Sequence, residues 1–85
     1  MNPMEANKLI AKFMIDNPID APRYHLFWDA LMPVITKLKN LDPDWIDEAQ
    51  HLIDYIDYAL TCCGGIRSVH EYTVIAIMDY NEWKS

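Results

Sequence analysis

Glycine is almost missing from this chain: there are two in 85 residues, side by side at Gly64 and Gly65. A turn-rich β-sandwich or barrel needs far more positions that tolerate unusual backbone angles, and a glycine-rich phosphate loop cannot be built from one adjacent pair. Cysteine is as scarce. Cys62 and Cys63 are neighbours, a spacing that closes no loop and matches no CxxC redox or zinc pair, so they read as reduced thiols. Long apolar runs are also lacking. The stretch Val74-Ile75-Ala76-Ile77-Met78 is too short to cross a bilayer and no basic, apolar leader opens the chain, so the expectation is a cytoplasmic protein with no membrane partner. Positive charge is in deficit: seven Lys and Arg face thirteen Asp and Glu, for a net charge of -6. Sequence-independent attraction to phosphate backbones is therefore missing, which disfavours direct nucleic-acid binding. The same charge suits docking onto a basic protein surface, including one that normally holds nucleic acid.

What is present is apolar material in helical register. With 52% hydrophobic and 24% charged residues, the chain is too apolar for disorder, and its length supports one core, so residues 1-85 are read as a single helical domain. Asn2-Pro3-Met4-Glu5 reads as a cap, a first-turn proline and a capping-box acid, followed by Ala6, Leu9, Ile10, Phe13 and Met14 on one stripe, with a stop at Asp16-Asn17-Pro18. Residues 16-25, with Pro18 and Pro22, form an extended connection. The second stripe is Trp28, Leu31, Met32, Ile35 and Leu38, and Pro33 within it predicts either a kink or a helix that starts near that proline. Asp42-Pro43-Asp44 opens a third helix carrying Trp45, Ala49, Leu52, Ile53, Ile56, Ala59 and Leu60, with Gly64-Gly65 as a left-handed stop. A fourth helix, from Ile66 to about Trp83, carries Val69, Tyr72, Thr73, Ala76, Ile77 and Tyr80 on one side and Ile75 and Met78 on the other. A helix apolar nearly all round is either central to the bundle or exposes Ile75 and Met78 as an interface. The predicted fold is all-α, a compact four-helix domain with its second helix kinked at Pro33.

Two stretches carry a resemblance. The run Asn7-Lys8-Leu9-Ile10-Ala11-Lys12-Phe13-Met14, followed by Tyr24-His25, Trp28-Asp29 and Leu31-Met32-Pro33-Val34-Ile35, resembles a family of small uncharacterised proteins from phages and integrated elements of Bacteroidetes bacteria. The closing pattern Ile66, Val69, Val74, Ile77 and Tyr80-Asn81 is similar to the same family. The chain departs from it at Phe27 and Ala30, where the family carries serine and tryptophan, and at Asp79, which stands in place of an aromatic. The resemblance brings no activity. It implies packing roles for Phe13, Trp28, Leu31 and Ile77, and a phage or mobile-element origin, which by association points to an anti-defence, anti-CRISPR-like inhibitor of a host machine.

Candidate functional residues concentrate in the third helix. Asp47, His51, Asp54, Tyr55 and Tyr58 fall at i, i+4, i+7, i+8 and i+11, opposite Leu52 and Ile56. Tyrosines offer large contact area at low entropic cost and carboxylates pair with Arg or Lys, so this stripe is the predicted partner-binding surface; the plainer reading is a solvated face. As a metal site it is incomplete, because one helix cannot close the coordination of Asp47, His51 and Asp54, and no metal or other cofactor is predicted. Cys62 or Cys63 with His25 or His70 lacks the orienting group and oxyanion site of a thiol nucleophile, so no catalytic residue is assigned. Ser68-Val69-His70-Glu71 has the form of a capping box unless the helix has already begun at Ile66, and Tyr24-His25 reads as a hydrophobic staple with a polar tip. The leading expectation is a non-catalytic, phage-encoded inhibitor of a host or defence protein, with a nucleic-acid-handling effector as one such partner. The alternatives are a self-associating phage accessory or structural protein that buries Ile75 and Met78, and a small metal protein or enzyme.

Overall fold

The computed structural model describes residues 2-14, 22-61 and 65-85, and all regular structure among them is helical. Five helices follow in order: α1 (Pro3–Phe13), α2 (Trp28–Lys39), α3 (Pro43–Glu48), α4 (Gln50–Thr61) and α5 (Ile66–Lys84). The stop at Asp16-Asn17-Pro18, the Cys62-Cys63 pair and Gly64 lie outside the described residues.

Both starts expected from local chemistry are formed. Asn2 Oδ1 accepts from the Glu5 N–H at 2.8 Å with Pro3 at the first helical position, and the Asp42 carboxylate accepts from the Asp44 N–H at 2.9 Å with Pro43 in the same place. Each cap satisfies an N–H that has no partner within its own helix. Helix α2 begins at Trp28 and runs through Pro33, so a start near that proline is ruled out.

The expected third helix is two. Ala49 (φ -101°, ψ 18°) donates its N–H to the Trp45 carbonyl at 2.8 Å and ends α3, while its own carbonyl accepts from Leu52 and Ile53 at 2.9 and 3.2 Å and opens α4. Gly65 is likewise reassigned: with φ -66° and ψ 174° it is extended and caps the start of α5 rather than stopping the helix before it. That φ is open to any residue and a Cβ there would touch nothing, so neither backbone nor space demands glycine at that position. Ser68 sits in the first turn of α5, its N–H on the Gly65 carbonyl at 3.1 Å.

Helix α5 is the element against which α1, α2 and α4 pack. Val69, Thr73, Ala76 and Ile77 are buried on it, and they meet Ile10 and Ala11 of α1, the Leu31, Val34, Ile35 and Leu38 face of α2, and Trp45, Ile53 and Ile56 of α3 and α4 in one core. The radius of gyration, 12.0 Å, is what about 85 residues give when packed as one body. Three helices send their C-terminal ends toward one side, and each carries lysine in its last turn: Lys12, Lys37 with Lys39, and Lys84. Lys37 donates to the Phe13 carbonyl at the end of α1, and its ammonium lies 4.6 Å from the centre of the Phe13 ring. Lys12, Lys37 and Lys84 line one cleft there, each near the negative end of a helix dipole.

One core assignment fails. Trp28 is 41% exposed and Met32 is exposed beside it, because the buried face of α2 is centred on Leu31, Val34, Ile35 and Leu38 and leaves both on its margin. The aromatic that enters the core from this region is Tyr24, 2% exposed. Phe13 is partly buried, whereas Leu31 and Ile77 are fully enclosed.

Candidate functional site

Every residue of the predicted binding stripe is at the surface, but the stripe is not continuous. Asp47 belongs to α3, and His51, Asp54, Tyr55 and Tyr58 belong to α4, so the i to i+4 step from Asp47 to His51 crosses the break at Ala49. On α4 the side chains organise one another. The Gln50 amide donates to Asp54 Oδ1 at 3.0 Å, and the His51 ring meets Tyr55 edge-on with centroids 6.4 Å apart. Tyr55 in turn stacks on Tyr72 of α5, at 5.6 Å and 23° between planes. Tyr58 is 63% exposed, against 51% for Tyr55.

That stack joins two surfaces that the spacing treated separately. Ile75 lies three residues beyond Tyr72 and Met78 three beyond Ile75, so each neighbours the next on a line that winds around α5 from the side of Tyr72 to the other. Both are exposed. The acidic, tyrosine-bearing face of α4 therefore continues across Tyr72 onto the apolar ridge of α5.

Charge follows the same division. Between residues 42 and 61 lie Asp42, Asp44, Asp47, Glu48, Asp54 and Asp57 and not one Lys or Arg, so this segment carries the whole net charge of -6 and the remaining acids and bases balance. Spacing analysis overlooked this, although a running sum of charge along the chain would have found it. Lys39 of α2 pairs with Asp57 at 2.5 Å, an exposed contact worth little to stability.

A second cluster was missed altogether. On the far side of the Ile75-Met78 ridge, α1 and α5 enclose a groove of about 650 Å³ lined by Ala6, His25, Arg67, His70, Glu71 and Met78, among others. At its edge Asn7 bridges two histidines: its amide nitrogen is 2.8 Å from His25 Nδ1, and its carbonyl oxygen is 3.0 Å from His70 Nε2. Asn7 and His70 are buried, and the two rings lie 5.9 Å apart. Burial first, and the facing His25 second, hold His70 below its ordinary value of 6.5, with Glu71 acting in the opposite sense. The one signal in the sequence was a polar residue beside Ala6 and one turn before Ala11, on a face that must be buried. The phenol ring of Tyr24 is in the core and the imidazole of His25 meets a polar partner, while the residue before the Phe27 cap of α2 is the exposed Leu26, so the staple position is not filled by Tyr24.

No family model matches the chain, and no curated protein or solved structure is similar to it. Function must accordingly be read from these surfaces. Among the described residues no three His, Cys, Asp or Glu side chains converge as metal ligands would. Every buried side-chain nitrogen or oxygen there has a hydrogen-bond partner, and no helix among the described residues is long and apolar enough to cross a membrane.

Proposed function

We propose that this protein is a non-catalytic binding protein that applies the acidic surface of α3 and α4 to a basic patch on another protein. One observation carries the reading: all of the net charge is confined to the segment that also exposes Tyr55 and Tyr58. Carboxylates supply long-range attraction and orientation, while the two phenol rings, one braced by Tyr72, supply desolvated contact area. Together with the resemblance to phage and mobile-element proteins, this favours a phage-encoded inhibitor acting in the host cytoplasm. A host or defence protein whose groove normally holds nucleic acid has the complementary charge.

The experiment is affinity capture from the native host with the wild-type chain and with an Asp54→Lys, Tyr58→Ala double variant. The variant should fold as wild type by circular dichroism, because both positions are exposed, and should bind the captured protein at least about tenfold more weakly, with the wild-type affinity falling as salt rises. Equal retention of the partner by both chains would remove this surface from consideration.

A second reading, a self-associating phage accessory protein, is favoured by the exposure of Ile75 and Met78. Light scattering over a dilution series separates the two. Self-association predicts a mass that falls on dilution and an Ile75→Asp variant that stays monomeric throughout, whereas the inhibitor reading predicts a concentration-independent monomer for both.

A further inference from the structure

Asn7, His25 and His70 come from three separate stretches of chain: α1, the turn at 24-26 and α5. A primary amide has one donor end and one acceptor end. Placed between two imidazoles, it can serve two neutral rings, or one neutral and one protonated ring: as it stands when His70 carries the proton, and by turning over when His25 does. It cannot serve two imidazolium ions, since each would present an N–H and the amide can accept at only one of its ends. We propose that the Asn7 bridge is an acid-sensitive latch, which holds α1 and the 24-26 turn against α5 at neutral pH and releases them when both imidazoles are protonated.

The surroundings suit such a device. Asn7 and His70 are buried, so losing their bond leaves the Asn7 amide without a partner inside the fold, while the adjoining groove gives protons a route to the rings. The ionisable groups around His70 are His25 from the turn and Glu71 and Arg67 from its own helix; α1 presents Asn7, Ala6 and Pro3, none of which titrates. Because His70 is held below 6.5 in the folded chain, the unfolded chain takes up the proton first as the pH drops. The contribution of a neutral His70 is therefore complete above about 6.5 and is lost progressively below it. Release would uncover Ile10 and Ala11, the fully buried residues of α1.

Amide hydrogen exchange on the full chain, expressed as protection factors so that the intrinsic pH dependence is removed, tests the latch. Between about pH 7.5 and about pH 5, protection at Ile10 and Ala11 should fall roughly fivefold relative to Ile56 of α4. Asn7→Asp offers an acceptor at both ends and a charge that pairs with imidazolium, so it should reverse the trend and protect α1 better at the lower pH. A loss shared equally by α1 and α4, or a wild-type profile in Asn7→Asp, would overturn the proposal. Should that variant not fold at neutral pH, the wild-type chain still decides: with both rings followed by their ring-proton shifts, the loss of α1 protection must accompany protonation of the second of the two, and a loss already complete while one ring is neutral sinks the idea.

Discussion

Replacement of Trp45 by alanine is expected to cost about 3–5 kcal/mol, a large share of the roughly 4–13 kcal/mol available to a chain of this size. Trp45 is fully buried although it lies only three residues past a helix cap, and its indole N–H donates to Asp79 Oδ2 at 2.9 Å. Its ring meets Tyr80 edge-on at 5.2 Å; Tyr80 meets Phe13 edge-on at 6.3 Å and stacks on Trp83 at 6.1 Å. One side chain thereby ties α3 to the end of α5 and, through Tyr80, to α1. Two partial deletions divide the effect. Trp45→Phe keeps an apolar ring and gives up the hydrogen bond, at about 1–2 kcal/mol, whereas Asp79→Ala leaves a buried N–H without its acceptor, at about 1–3 kcal/mol. Urea denaturation measures all three, as a lower midpoint at unchanged slope. A loss below about 1 kcal/mol for Trp45→Ala would show that the ring is not an anchor. The pairing also accounts for the acid at position 79, where the resemblance leads one to expect an aromatic.

Ile77→Ala should cost about 2–5 kcal/mol and Trp28→Ala less than about 1 kcal/mol, although tryptophan is the larger side chain. Ile77 is 0% exposed on the helix that the others surround, so its truncation leaves a cavity bounded by several elements. Trp28 stands in the first turn of α2 with water on one side, so much of its ring loses no burial when removed. The same denaturation series ranks the pair. A cost for Trp28→Ala equal to that of Ile77→Ala would restore Trp28 to the core and contradict the burial described above.

Local chemistry was legible wherever a few adjacent residues decide the outcome. Asn2-Pro3 and Asp42-Pro43 start helices because a side-chain oxygen meets a free N–H within one turn, a contact that needs nothing from the rest of the chain. The extent of α5 and its buried side were readable from spacing for a similar reason, since a long apolar helix has few ways to avoid water. The break at Ala49 was not readable. Glu48, Ala49 and Gln50 all favour helix, and the residues that the break seats in the core, Trp45 on one side of it and Ile53 and Ile56 on the other, lie outside that triplet.

The candidate surfaces divide in the same way. Which residues are acidic or aromatic, and that Tyr55, Tyr58, Ile75 and Met78 are outward-facing candidates, follows from composition and periodicity. That Tyr55 lies on Tyr72 and so makes one surface of two, and that Asn7 faces inward to reach His25 and His70, depends on side chains from 17, 18 and 63 residues apart being brought together. Periodicity reports only which side of a helix avoids water. Which other helix that side meets, and which polar groups are thereby enclosed together, is settled by how all the helices pack at once, and no local pattern encodes that.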